Sequence, residues 1–215
     1  MSDGLTIAIP RGSLFGETLD LLDALGIETG EVRSNARRLV FPGVLTVRPS
    51  DVPTYVEHGA ADLGITGKDV LMEQAEREVY ELADLAYGHC RMIVAAPAND
   101  SPGRVVGDPL GERLRRSGVV RVATKYPRVA TAHFAATGRQ AEIVEVKGSV
   151  ELAPITGLAD VIVDLTATGK TLAENGLVER EAIWESTARL IANPVAHKLK
   201  AAAIDRLVAR VRELS

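Results

Sequence analysis

The chain has 215 residues, 46% of them hydrophobic and 25% charged, with a formal net charge of −4. This is a globular composition with enough material for one large or two small cores, and it excludes a globally basic surface that would gather nucleic acid. Any polyanionic ligand must therefore be met by local arginine and lysine side chains.

One cysteine, Cys90, rules out an internal disulfide and suits a reducing compartment. No basic segment followed by a long apolar run opens the chain, and no apolar stretch is long enough for a bilayer. The expected setting is cytoplasmic, with neither membrane nor nucleic acid as a partner.

Strand and helix patterns alternate along the chain. Residues 5–10 form an apolar strand, Arg11, Gly12 and Ser13 a turn at its carboxyl end, and 17–25 a helix stopped by Gly26. Ligands of open α/β sheets gather at the carboxyl ends of strands, which singles out Arg11; an ordinary loop arginine is the plain alternative. Residues 37–41 and 44–48 read as two strands around Pro42 and Gly43, with Arg37, Arg38 and Arg48 along or beside them. Guanidinium forks suit phosphate because they donate two parallel hydrogen bonds, but charges on a sheet edge also discourage aggregation. Ser50 is positioned to cap a helix over 51–58. Residues 61–66 form a strand, and Gly67, Lys68 and Asp69 open the next helix.

Residues 79–85 and 90–97 are strand-like, 99–103 is a turn-rich break, and 108–117 is helical. A strand at 119–124 leads through Lys125 and Tyr126 into a helix at 127–136. Residues 141–147 form a strand; Ser149 caps the helix after it, which Pro154 keeps irregular. A strand or strand pair follows over 178–191, and 194–214 reads as one long amphipathic helix. The expected division is 1–88 plus about 178–215 as one domain and 89–177 as the other. The four histidines are scattered without metal-ligand spacing, and Cys90, in an apolar strand, reads as core.

The densest chemistry lies in 157–176. An apolar strand over 160–165 carries Asp164 near its end; Thr166, Ala167, Thr168, Gly169, Lys170 and Thr171 follow as a small-residue turn, and 171–175 continues as a helix closed by Gly176. Strand, turn and helix start form an anion cradle of backbone N–H groups and threonine hydroxyls. Gly169-Lys170-Thr171 is the tail of a nucleotide P-loop, but Asp164 stands where its first glycine belongs, and a carboxylate there would repel a triphosphate. A phosphoribosyl 5′-phosphate site, with the acid meeting ribose hydroxyls, and an ordinary strand-to-helix turn are the other readings.

The stretch Lys147-Gly-Ser-Val-Glu-Leu-Ala-Pro, followed by Gly157-Leu-Ala-Asp-Val-Ile-Val-Asp-Leu-Thr-Ala-Thr-Gly-Lys-Thr-Leu, resembles the signature of the ATP phosphoribosyltransferases. Six further segments resemble the family in order: Pro10-Arg-Gly, Arg37-Arg-Leu-Val-Phe, Arg48-Pro-Ser-Asp-Val-Pro-Thr-Tyr-Val, Ala61-Asp-Leu-Gly-Ile-Thr-Gly-Lys-Asp, Cys90-Arg-Met-Ile-Val-Ala and Val122-Ala-Thr-Lys-Tyr-Pro. The resemblance implies an α/β, two-domain fold of the periplasmic-binding-protein type (type II), with the active site in the interdomain cleft. It implies transfer of the phosphoribosyl group of PRPP to N1 of the ATP adenine, with release of pyrophosphate, the opening step of histidine biosynthesis. Mg²⁺ would enter through substrate phosphates, without direct protein ligands.

By the same resemblance, Asp164, Thr166, Ala167, Thr168, Gly169, Lys170 and Thr171 hold PRPP, with Glu145 or Glu151 as a second acid. Arg11, Arg37, Arg38 and Arg48 are the expected catalytic cations; Arg11, Gly12, Gly67, Lys68, Asp69 and Lys125 are expected around ATP. The chain stops after the helix at 194–214, as the short members do. That implies a regulatory subunit resembling histidyl-tRNA synthetase, a hetero-oligomer with it and a homodimer alone. A non-catalytic binding module of the same fold is the rival from another class, separated by ligand choice: PRPP with Mg²⁺ against a small metabolite alone.

Overall fold

A computed structural model describes residues 4–35, 37–98 and 118–214. The turn expected at 99–103 and the helix expected at 108–117 lie outside the described residues. In chain order the elements of the first part are β1 (Ile7–Pro10), α1 (Phe15–Ala24), α2 (Gly30–Ser34), β2 (Val40–Phe41), β3 (Val44–Val47), α3 (Val52–Glu57), β4 (Leu63–Gly67), α4 (Lys68–Glu73) and β5 (Tyr80–Asp84). Then come β6 (Cys90–Pro97), β7 (Val119–Thr124), α5 (Pro127–Ala136), β8 (Gln140–Glu145), α6 (Leu152–Thr156), β9 (Val161–Thr166), α7 (Lys170–Glu174) and β10 (Leu177–Ser186). β11 (Ala188–Ala192), α8 (Pro194–Leu199) and α9 (Ala201–Leu214) close the chain.

The chain divides into two compact units, Met1–His89 with Ser186–Ser215, and Cys90–Glu185. The first holds a sheet in the order β2-β3-β1-β4-β11-β5. All four residues of β1 are buried, as an apolar run without alternation requires of a central strand. β1 lies parallel to both β3 and β4, while β11 runs antiparallel to β4. One face is covered by a core of Ile7, Ile9, Leu19, Leu22, Leu63, Leu190 and Ile204, the other by Ala8, Val52, Val56 and Ile191.

The second unit holds a sheet in the order β10-β6-β9-β7-β8, with β9, β7 and β8 parallel and β6 antiparallel to β9. Its two faces carry Met92, Val94, Val122, Phe134 and Val163, and Ile93, Ala95, Ile162 and Leu172.

The chain returns to the first unit at Ser186, later than the expected 178, because β10 up to Glu185 belongs to the second unit as the edge strand beside β6. Side chains hold it there: Arg91 Nη2 lies 2.8 Å from Glu179, and Arg180 Nη2 donates to the Pro97 carbonyl at 3.0 Å. Arg139, donating at 2.7 Å, holds the Glu181 carboxyl below its usual range, and His133 Nε2 stands 3.0 Å from the same carboxylate.

Three local expectations change. Ser50 does not cap: its hydroxyl donates to Asp51 at 3.2 Å and α3 starts without a side-chain cap. Ser149 sits at φ 48° and closes a turn through its carbonyl, which accepts from Leu152 N–H at 3.1 Å, leaving α6 only five residues. The single helix expected over 194–214 is two, broken at Lys200 (φ −118°, ψ 26°). Lys200 Nζ donates to Gly4 O at 2.9 Å and to Asp62 at 2.8 Å, tying the break to the segments that lead into β1 and β4.

Candidate functional site

Each unit gathers its candidate residues at the carboxyl end of its parallel strands. In the first unit β3, β1 and β4 are neighbours, and the residue immediately after each is a cation: Arg48, Arg11 and Lys68. Strand-end geometry therefore brings together three side chains that are distant in sequence. They differ in how they are held. Arg11 donates from Nη2 to the Arg38 carbonyl at 2.9 Å and to Thr46 Oγ1 at 3.1 Å, which joins β1 to β3 and to the segment before β2. Arg38 lies before β2, not on it, with Nη1 3.0 Å from Glu31 and its guanidinium 5.0 Å above the Phe41 ring. Lys68 Nζ lies 2.6 Å from Glu81 Oε2. Arg37 and Arg48 are exposed and make no ion pair among the described residues.

Gly67 and Asp69 form one device. Asp69 is 8% exposed; its backbone N–H donates to Ser186 Oγ at 3.2 Å, and Ser186 Oγ donates to its carboxylate at 3.4 Å. A Cβ on Gly67 would meet Asp69 Oδ1 at 2.0 Å, so only glycine lets this carboxylate fold back over the turn. Asp69 thus anchors the turn that presents Lys68. Gly12, at φ 104°, supplies the left-handed step after Arg11.

In the second unit β9, β7 and β8 end side by side: Val163 registers with Thr124, and Thr124 with Glu145. Lys125, one residue past β7, therefore meets Asp164 on β9, with Nζ 3.6 Å from Oδ1. Thr124 locks the junction. Its hydroxyl donates to the Val163 carbonyl at 2.7 Å and accepts from Tyr126 N–H at 2.8 Å. Burial pushes the Asp164 carboxyl up from its ordinary value; Lys125 and the Leu165 N–H, which donates to Oδ1 at 2.8 Å, oppose that, and the nearby Glu151 carboxylate adds to it. Lys125 also lies 5.1 Å over the Tyr126 ring. The lysine expected beside ATP is thus found against the acid expected beside PRPP.

The turn after Asp164 differs from a bare row of amides. Gly169 N–H donates to Thr166 Oγ1 at 2.9 Å and Lys170 N–H to Thr168 Oγ1 at 3.4 Å, with Gly169 at φ 74°. The threonines occupy the first amides, but each hydroxyl that accepts keeps its own proton to donate; Thr166 is buried and Thr168 exposed. Ala167, Thr168, Lys170 and Thr171 are exposed. The result is a hydroxyl-lined turn beside a shielded carboxylate.

Two residues were missed from the sequence. Arg91 registers directly with Thr166 across β6 and β9, so the two side chains share a face of the sheet. Its signal was an arginine at the start of an otherwise apolar strand. Glu81, the partner of Lys68, had no signal, because nothing local marks which cation faces a given strand acid.

A model of the family described as HisG: ATP phosphoribosyltransferase matches residues 48–213. The ATP phosphoribosyltransferase of Rubrobacter xylanophilus is 51% identical over 212 residues, covering 97% of this chain and 95% of that one. That of Geobacter metallireducens is 47% identical over 218 residues, with 97% of both covered. Among solved structures, the ATP phosphoribosyl transferase HisG:HisZ complex from Thermotoga maritima aligns at TM-score 0.75 and 33% identity, covering 97% of both chains. The arginine-bound structure of Tv2483 aligns at TM-score 0.60 and 16% identity, a likeness of fold alone.

Proposed function

Given that the chain belongs to the ATP phosphoribosyltransferase family, we propose that its second unit holds PRPP on the segment from Asp164 to Thr171. The chain is a pentosyltransferase that moves the 5-phosphoribosyl group of PRPP to N1 of the ATP adenine and releases pyrophosphate, the first step of histidine biosynthesis. The observation carrying the site assignment is the Lys125–Asp164 pair, 3.6 Å apart, beside the hydroxyl-lined turn.

In this reading the 5′-phosphate sits on the turn, accepting hydrogen bonds from the hydroxyls of Thr166, Thr168 and Thr171 and facing the charge of Lys170. Asp164 accepts from the ribose hydroxyls, and Glu145 and Glu151 add acceptor charge nearby. Lys125 orients Asp164. Displacement at the anomeric carbon builds positive charge on the sugar and negative charge on the leaving pyrophosphate, so positioning and electrostatics carry the step. Adenine N1 brings its own lone pair and needs no strong base. Arg11, Arg37, Arg38, Arg48 and Lys68 supply the cations for pyrophosphate and the ATP phosphates. Gly12 and Gly67 shape the turns beneath them, and Asp69 fixes the Lys68 turn.

In this reading the family's metal dependence is met on the substrates, whose phosphate oxygens suit a hard cation, without direct protein ligands. Mg²⁺ is the proposed ion; when bound it neutralises charge on the leaving pyrophosphate. No helix among the described residues is long and apolar enough to cross a membrane, and the cytoplasm is the proposed compartment. A regulatory subunit resembling histidyl-tRNA synthetase is the proposed partner, in a hetero-oligomer like the HisG:HisZ complex of Thermotoga maritima, with a homodimer in its absence.

The test is pyrophosphate release by the purified chain with ATP, PRPP and Mg²⁺, each omitted in turn, with and without the regulatory subunit. Release that needs all three and becomes histidine-sensitive only with the subunit is the expected result. Strong histidine inhibition of the isolated chain would refute the division of labour. A folded chain silent in both arms would refute the activity.

A further inference from the structure

Lys68 is held at both ends. Its backbone N–H donates to the Thr187 carbonyl at 2.9 Å, and its ammonium rests 2.6 Å from Glu81 Oε2. The other Glu81 oxygen accepts from Arg189 Nη1 at 3.2 Å. Arg189, 20% exposed, places Nη2 2.9 Å from Asp84, and Asp84 accepts from the Thr187 hydroxyl at 2.8 Å. The ring Lys68–Glu81–Arg189–Asp84–Thr187 closes through one residue's backbone and side chain. Its charged members come from three adjacent strands or their ends, β4, β11 and β5.

A lone surface ion pair would do little. This carboxylate differs in being shared by two cations and in being about one-third exposed, as Lys68 is. A lysine head on a four-carbon stem samples many rotamers, and ordering it at the moment of binding weakens binding. Glu81 orders it beforehand. One acceptor also leaves two of the three ammonium protons to donate elsewhere.

The geometry points to Glu81 as a positioning residue for the known reaction, holding Lys68 where the ATP phosphates meet it. This rests on the assignment of Lys68 to ATP made above, and the test separates the two. Initial rates of pyrophosphate release by the full chain would be measured against ATP and against PRPP for Glu81→Gln, Glu81→Asp, Lys68→Met and the double variant Glu81→Gln/Lys68→Met. Glu81→Gln raises the KM for ATP about tenfold and leaves the KM for PRPP within about twofold. Glu81→Asp, which keeps the charge but shortens its reach, restores part of the loss. The double variant is no worse than Lys68→Met alone, because both changes remove one function.

Additive losses in the double variant would make Glu81 merely structural and overturn the proposal, as would an unchanged KM for ATP in Glu81→Gln while Lys68→Met raises it. A Lys68→Met variant with unchanged KM for ATP overturns the proposal by removing the assignment beneath it. If Glu81→Gln does not fold, Glu81→Asp carries the test: a KM for ATP raised about threefold supports the role and an unchanged one refutes it.

Discussion

Lys125 Nζ stands 3.6 Å from Asp164 Oδ1 because the strands that carry them are parallel neighbours ending at the same level. Two opposed effects meet on that carboxylate. Burial penalises its charge and Lys125 favours it, and burial prevails, so the group titrates above its ordinary value of 3.8. Ionising an acid against such surroundings reduces stability.

Asp164→Asn separates the two consequences. The amide presents a donor on one side where ribose hydroxyls need an acceptor, and kcat/KM for PRPP falls by about a hundredfold. Stability moves the other way. The raised pKa means the folded state holds its proton to higher pH than the unfolded chain, so the wild type loses stability as pH rises from 3.8 through the folded value. The variant has nothing to ionise. Its melting temperature exceeds that of wild type near neutral pH and matches it below 3.8, which thermal melts across that range would check.

Arg11 and Arg48 follow neighbouring strands but respond differently to loss. Arg48→Met removes an exposed cation without an ion-pair partner among the described residues, so substrate KM rises several-fold while stability stays within about 0.5 kcal/mol. Arg11→Met also removes donors to Thr46 and the Arg38 carbonyl, and costs about 1–3 kcal/mol besides. Denaturant unfolding run beside the kinetics distinguishes the two.

Tyr87 accounts for an alkaline transition. Burial pushes its hydroxyl up to about 12, and the Thr18 hydroxyl lies 2.8 Å away. The folded state keeps a proton that the unfolded chain releases near 10, so stability falls as pH rises between those values. Tyr87→Phe flattens that slope, and it costs about 1 kcal/mol at neutral pH because Thr18 loses its partner. Urea midpoints at neutral and alkaline pH measure both.

Gly64→Ala tests the packing beneath the first unit's sheet. A Cβ there would lie 2.6 Å from methyl groups of both Val52 and Val56 and 3.3 Å from Ile191. No void accepts it, so the variant loses about 1–3 kcal/mol and unfolds at lower denaturant. Its KM for ATP stays near wild type at low temperature, since no candidate side chain is touched.

The alternation of strands and helices was legible because burial leaves apolar runs, and glycines punctuate them. Helix 127–136 and strand 119–124 fall where their local signals put them. The helix expected over 194–214 failed at Lys200, whose break is held by Gly4 and Asp62, residues invisible to any local window. The boundary near 178 failed for a related reason: β10 carries alternating charges that suit either unit, and its partners Arg91, Pro97 and Arg139 decide between them.

The sequence by itself determined the family, the two-unit α/β plan and the short list of cations, acids and threonines, since these reside in local patterns and ordered motifs. Only the tertiary structure decided which of them meet. Lys125 is 39 residues from Asp164, and Lys68 is 13 from Glu81; no spacing rule links either pair. Strand order and register do, because side chains at the ends of neighbouring strands are held within reach whatever length of chain lies between them.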